Sequence, residues 1–161
     1  MKHTVTSDGR AVVLAYLADG AQMVRVAALR ALRTSSVWRP SPPTLLPQVC
    51  YSSQIVPLLA FHALAQVIEA LSDDEGLVRR EAVKLIGVIG IDNPEPLPDG
   101  TEVGGAQRVR VPDACFMAIC DAFFDSDRWV REEACRVLGL VPGVSVHYLV
   151  QTLSKKMLSH T

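Results

Sequence analysis

The chain has 161 residues, 49% hydrophobic and 20% charged, with a formal net charge of −1. This composition suits one globular domain with a sizeable core, and it excludes a disordered or strongly basic chain. It therefore argues against bulk nucleic acid or an anionic membrane as an electrostatic partner.

At the N-terminus, Asp8, Gly9 and Arg10 stand where a secretory leader needs an unbroken apolar run. Nothing in the sequence approaches the ~18 apolar residues of a membrane span. The expectation is an intracellular protein whose cysteines are reduced and act as small buried hydrophobes.

The first helical signal is short, from about Arg10 to Leu17, and an Asp19-Gly20 turn leads to a second run through Val24, Ala28 and Leu32. Residues 34–54 hold four prolines and no helical period, so they are expected to form a mobile or partly disordered loop. Pro57 then suits the opening of a helix carrying Leu58, Phe61, Leu64, Ile68 and Leu71 on one face. After the acidic turn Ser72–Gly76 comes a second apolar stripe, Val78, Ala82, Leu85, Ile86 and Ile89, with Arg80, Glu81 and Lys84 assigned to the solvated side.

Residues 91–110, with three prolines and three glycines, are expected to be a second mobile or partly disordered loop. Pro112-Asp113 starts a helix presenting Phe116, Ile119 and Phe123. The stripe Val130, Ala134, Val137, Leu138 and Val141 follows, with Arg128, Glu132, Glu133 and Arg136 outside it. Pro142-Gly143 breaks that helix, and Ser145 suits the cap of a last one bearing Val146, Leu149, Val150, Leu153 and Met157.

One pattern recurs. Asp19, Asp73 and Asp125 are each followed five residues later by Val-Arg (Val24-Arg25, Val78-Arg79, Val130-Arg131), then by Ala28, Ala82 or Ala134 and an aliphatic residue. The copies lie 54 and 52 residues apart, in the range of helical repeat arrays. Each unit reads as helix, acidic turn, helix, and the fold class is all-α.

The Asp turn, the Val-Arg pair and the small-residue helix resemble the HEAT repeat. Three segments, LSDDEGLVRREAVKLIGVIG (71–90), DACFMAICDAFFDSDRWVREEACRVLGLV (113–141) and HYLVQTLSKKMLSH (147–160), carry a closer resemblance. Their order, the Pro-rich loop between the first two and the QTLSKKM ending resemble the subunit-4 family of the Integrator complex, an RNA-processing assembly associated with RNA polymerase II. The resemblance covers roughly residues 66–160.

It implies a single HEAT-type helical-hairpin solenoid over 1–161, with repeats at about 8–33, 55–90 and 111–141 and a partial fourth at 145–158, in a truncated or short form. It also implies a non-catalytic nuclear scaffold without a cofactor of its own. Its partners would be other Integrator subunits, especially the metallo-β-lactamase-like endonuclease pair, in small nuclear RNA 3′-end processing and transcription regulation. In HEAT arrays the turn Asp and the following Arg form an inter-repeat ladder. Asp73 is then expected to meet Arg25 or Arg131, and Arg79 a neighbouring turn Asp, with Asp19 and Asp125 in the same series. Such charge-assisted forks are directional and fix the stagger of stacked units.

Other chemistry finds little support. The HEAT-type iron-dependent hydroxylases use His-Glu dipeptides, and none of His3, His62, His147 or His160 precedes a Glu. Cys115 and Cys120 are five apart, which on a helix separates them by ~140° and disfavours one shared metal with Cys135 and His147. No nucleophile elbow or phosphate-binding glycine loop is present. Asp73, Asp74 and Glu75 suit the positive end of a helix dipole.

Two surface candidates remain. Trp129 either anchors a partner or packs between repeats. Lys155 and Lys156 either form a solvated face or contact an acidic partner or an RNA phosphate. A generic HEAT adaptor in other machinery is the alternative to the Integrator reading.

Overall fold

The computed structural model describes residues 7–34, 63–92, 112–140 and 146–159, together with four two-residue strands between 95 and 110. Among these residues there are seven α-helices: α1 (Ser7–Ala15), α2 (Gln22–Thr34), α3 (63–69), α4 (Gly76–Asp92), α5 (Asp113–Ala122), α6 (Arg128–Leu138) and α7 (Val146–Ser159). The expected loop 34–54, together with Leu58, Phe61, Cys50 and Val141, lies outside the described residues, apart from Thr34 at the end of α2.

The helices pack around α4, which touches α2 on one side and α5 and α6 on the other. Its central place follows from its sequence, GLVRREAVKLIGVIGID, which buries Val78, Ala82, Val83, Leu85, Ile86 and Ile89. One core runs through the described helices. Leu29 and Val26 of α2, Val67 of α3, Phe116 and Ile119 of α5 and Val130 of α6 join it with at most 2% of their surface exposed. Each such aliphatic or aromatic side chain contributes about 1.5–3 kcal/mol by leaving water. Leu14 and Leu17 at one end, and Leu149 and Leu153 of α7 at the other, pack half-buried against that core.

The same turn is built three times. A single 3-10 turn, Tyr16–Ala18 or Ala70–Ser72, precedes Asp19 or Asp73, and both aspartates adopt extended backbone. Asp19, Asp73 and Asp125 donate their backbone N–H to the carbonyls of Tyr16, Ala70 and Ala122 at 3.3, 3.4 and 3.3 Å. Their Oδ1 atoms accept the N–H of Ala21, Glu75 and Asp127 at 2.8, 2.9 and 2.7 Å. An aspartate folded back on its own turn in this way ends one helix and aims the next. In the third copy Asp127 also caps α6, its Oδ1 accepting from Trp129 N at 2.7 Å.

Four expectations need correction. Residues 91–110 are not wholly loop: α4 continues to Asp92, and β1 (Glu95–Pro96) pairs antiparallel with β4 (Val109–Arg110), while β2 (Glu102–Val103) pairs with β3 (Ala106–Gln107). In sequence, Gly104-Gly105 joins β2 to β3, a dipeptide of the kind that joins hairpin strands. Cys135 is exposed, whereas Cys115 and Cys120 are buried free thiols, and burial pushes Cys120 up to about 11. Val150 and Met157 of α7 are 57% and 60% exposed, although they were placed on its apolar face. Finally, Glu81 and Glu133 are not solvated; they are 2% and 3% exposed.

Candidate functional site

The recurring arginine carries out two tasks at once. Arg25 Nη1 donates to the carbonyls of Asp19 and Gly20 at 2.8 and 3.2 Å, closing its own turn. Its Nε and Nη2 reach the next unit and grip both oxygens of Asp73, at 2.7 and 3.0 Å. Arg79 repeats the arrangement: Nη1 binds the carbonyls of Asp73 and Asp74 at 2.7 and 3.1 Å, while Nε and Nη2 hold Asp125 at 2.8 and 2.9 Å. Arg131 closes its own turn on Asp125 and Ser126 at 2.7 and 2.9 Å. Among the described residues, no carboxylate meets the outer edge of Arg131 and no guanidinium grips the Asp19 carboxylate. The geometry therefore chooses Arg25, and not Arg131, as the partner of Asp73.

Both rungs are largely shielded, with side-chain exposures of 15% and 13% for Arg25 and Asp73 and of 12% and 11% for Arg79 and Asp125. The hydrogen bond to Asp73 raises the Arg25 pKa, and that to Asp125 raises Arg79. Burial alone would push the Asp125 carboxyl up, but the bonds from Arg79 and from the Asp127 N–H outweigh it and hold the group below its usual value.

A second ladder, missed by sequence reasoning, lies further along α2, α4 and α6. Glu81 accepts from Lys84 Nζ at 2.8 Å and from Arg30 Nη2 at 3.3 Å, with Arg33 3.8 Å away. Glu133, 52 residues on, accepts from Arg80 at 3.3 Å and from Arg136, with Lys84 at 3.9 Å. Each glutamate thus takes a cation from its own helix, three residues on, and one from the preceding unit. The signal was available in the recurring Glu81-x-x-Lys84 and Glu133-x-x-Arg136. The first copy hides it, because Ala27 stands where the glutamate would be. Burial would raise the Glu81 carboxyl, yet Lys84 and Arg30 pull it below the usual value.

These depressed carboxyls fix the sign of an acid effect. Asp125 and Glu81 contribute stability in full above the ordinary carboxylate range, about pH 4, and that contribution disappears as pH falls through their lower folded-state values. Urea unfolding is expected to show a steep loss of stability below about pH 4. In Asp125→Asn, stability is lower at neutral pH and the acid-dependent loss is smaller.

The remaining candidates are placed as follows. Trp129 is 53% exposed, and its ring centroid lies 5.8 Å from the Arg80 guanidinium and 5.5 Å from that of Arg128. Lys156 donates to Asp121 of α5 and so ties α7 to the helix beneath it, while Lys155 is exposed. Among the described residues, no group of three His, Cys, Asp or Glu side chains could hold a metal ion. Two clefts of about 240 and 280 Å³ lie beside Asp73 and Asp125. Apart from Ala15, their linings correspond at the spacing of the recurring pattern, as in Leu14 with Ile68, Gln66 with Ala118 and Glu69 with Asp121. They are two matching gaps between neighbouring helices.

No protein-family model matches the chain. Over 92 residues, 57% of this chain, it is 39% identical to the Integrator complex subunit 4 homolog of Dictyostelium discoideum. Over 97 residues, 58% of the chain, it is 39% identical to human Integrator complex subunit 4. The chain resembles Integrator complex subunit 4.

The similarity extends to Drosophila melanogaster at 34% over 96 residues, and at 31% over 93 residues to the protein named SIEL of Arabidopsis thaliana. In every case it covers a small part of the relative: 7% of the Dictyostelium protein and 10% of human Integrator complex subunit 4. No helix among the described residues is long and apolar enough to cross a membrane.

Proposed function

We propose that the chain is a HEAT-type helical-hairpin solenoid acting as a non-catalytic scaffold of the Integrator complex. Its repeats would be the units at about 8–33, 55–90 and 111–141, with a partial fourth at 145–158. The observation that carries this reading is the same bidentate Arg-to-Asp bond made twice between successive units, at Arg25–Asp73 and Arg79–Asp125. A directional bond repeated at nearly equal spacing sets the pitch of a stack and forms no reaction centre. Arrays of this kind use their extended surface for binding.

The similarity to Integrator complex subunit 4 supplies the assembly. The proposed setting is the nucleus, and the proposed partners are other Integrator subunits, including the metallo-β-lactamase-like endonuclease pair. The process supported would be small nuclear RNA 3′-end formation and transcription regulation, with any catalytic metal held by those partners.

The test is affinity purification of the tagged chain from nuclear extract, read by mass spectrometry. Enrichment of the endonuclease pair and other Integrator subunits is the expected result. A folded chain that enriches a different set of proteins would make it an adaptor of other machinery.

A further inference from the structure

The second ladder carries more positive charge than it consumes. A continuous line of contacts runs Arg30/Arg33–Glu81–Lys84–Glu133–Arg80/Arg136 and then, through Arg80, to Trp129 and Arg128. It gathers five cations around two carboxylates and adds Arg128 beside Trp129, in a chain whose net charge is −1. Both glutamates are buried, whereas the Arg30, Arg33, Arg80 and Arg136 side chains are 50%, 37%, 35% and 57% exposed. Glu132, exposed on α6 one turn from Arg128, and Asp127, whose Oδ1 accepts the Trp129 N–H, offset part of the excess at that end only.

We propose that this stripe across α2, α4 and α6 docks an acidic protein segment, with its carboxylates on the guanidinium groups and one apolar residue against Trp129. Two features select that occupant. Guanidinium forks match carboxylates bidentately, and most of the stripe is arginine. Trp and Arg, which dominate protein–protein contact energy, stand together at one end of it. Helices packed 8–10 Å apart place α2 and α6 about 20 Å from one another, the reach of roughly six residues of extended chain.

The proposal rests on the reading of the chain as a protein-binding scaffold. Its test uses the purified chain and synthetic probes, so it can fail while the Integrator assignment stands. The probe is a fluorescein-labelled peptide of glutamates flanking one leucine, followed by anisotropy at low and high salt, with a uridine oligomer as comparator.

The expected result is peptide binding that weakens with salt and exceeds binding of the oligomer. Arg30→Glu with Arg128→Glu should lower affinity about tenfold or more, and Trp129→Ala several-fold. Gln151→Glu on α7, off the stripe, should leave it unchanged. Because Arg30 also neutralises Glu81, circular dichroism accompanies each variant. Arg128→Glu alone, at a residue whose described contact is Trp129, keeps the test valid if the double substitution unfolds the chain. Absence of peptide binding, an affinity indifferent to Arg128→Glu and Trp129→Ala, or tighter binding of the oligomer would overturn the proposal.

Discussion

Arg79→Ala is expected to lower the unfolding free energy by about 2–3 kcal/mol, between the ~0–1 of an exposed ion pair and the ~3–5 of a fully buried one. The substitution leaves Asp125 without its fork and also frees the carbonyls of Asp73 and Asp74, which Arg79 holds at 2.7 and 3.1 Å. The informative comparison is Arg131→Ala, the same change at the equivalent position. Arg131 closes its own turn but reaches no carboxylate among the described residues, so less than about 1 kcal/mol is expected. Urea denaturation of the two variants measures the difference. Equal losses would mean that turn closure, rather than the bond between units, is what the arginine contributes.

Gly87→Ala is the second large effect, and its sign opposes helix propensity. In an isolated helix the change would stabilise by about 0.8–1 kcal/mol. Here the added Cβ would stand 2.4 Å from Val137 Cγ1, across the contact between α4 and α6. Val137 is 3% exposed and β-branched, with one strongly preferred helical rotamer, so it has little freedom to turn away. A net loss of about 1–3 kcal/mol is expected, as in other overpacked cores. Gly139 stands 52 residues after Gly87 in the sequence, and a Cβ there meets only Arg136 O at 3.6 Å and Cys135 O at 3.7 Å. Gly139→Ala should therefore be neutral or gain a few tenths of a kcal/mol, since its φ of −69° suits any residue. Thermal melting of both variants distinguishes close helix approach from simple propensity.

The residues of the Arg25–Asp73 and Arg79–Asp125 bonds stood out in the sequence because a directional contact needs its residues at fixed places, and Asp, Val, Arg and Ala keep theirs in three copies. The core stripe of α4 was legible for the same reason: Val78, Ala82, Leu85, Ile86 and Ile89 are all buried. What the helical period could not show is that α4 has neighbours on two sides. A single-stripe reading puts Glu81 in water, whereas the approach of α2 and α6 covers that flank and buries Val83 as well. The glutamates remain there because each gathers several cations, from its own helix and from a neighbouring one.

The tie between Lys156 and Asp121 was out of reach for a similar reason, since it joins residues 35 apart with no repeated partner. For β1–β4 the signal was local but diluted. Two-residue strands are too short for alternation to register, and prolines and glycines dominate the segment.

The central claim is that successive units are held in register by a bond between them, and a double-mutant cycle tests it most directly. Unfolding free energies of the parent, Arg79→Ala, Asp125→Ala and the double variant give the coupling of the pair free of what each side chain does within its own turn. A coupling of about 1–2 kcal/mol that shrinks below pH 4 is the result expected of a shielded, charge-assisted fork. Strict additivity of the two single losses, at neutral pH and in a folded double variant, would show that the units are stacked by their apolar faces alone and would contradict the account.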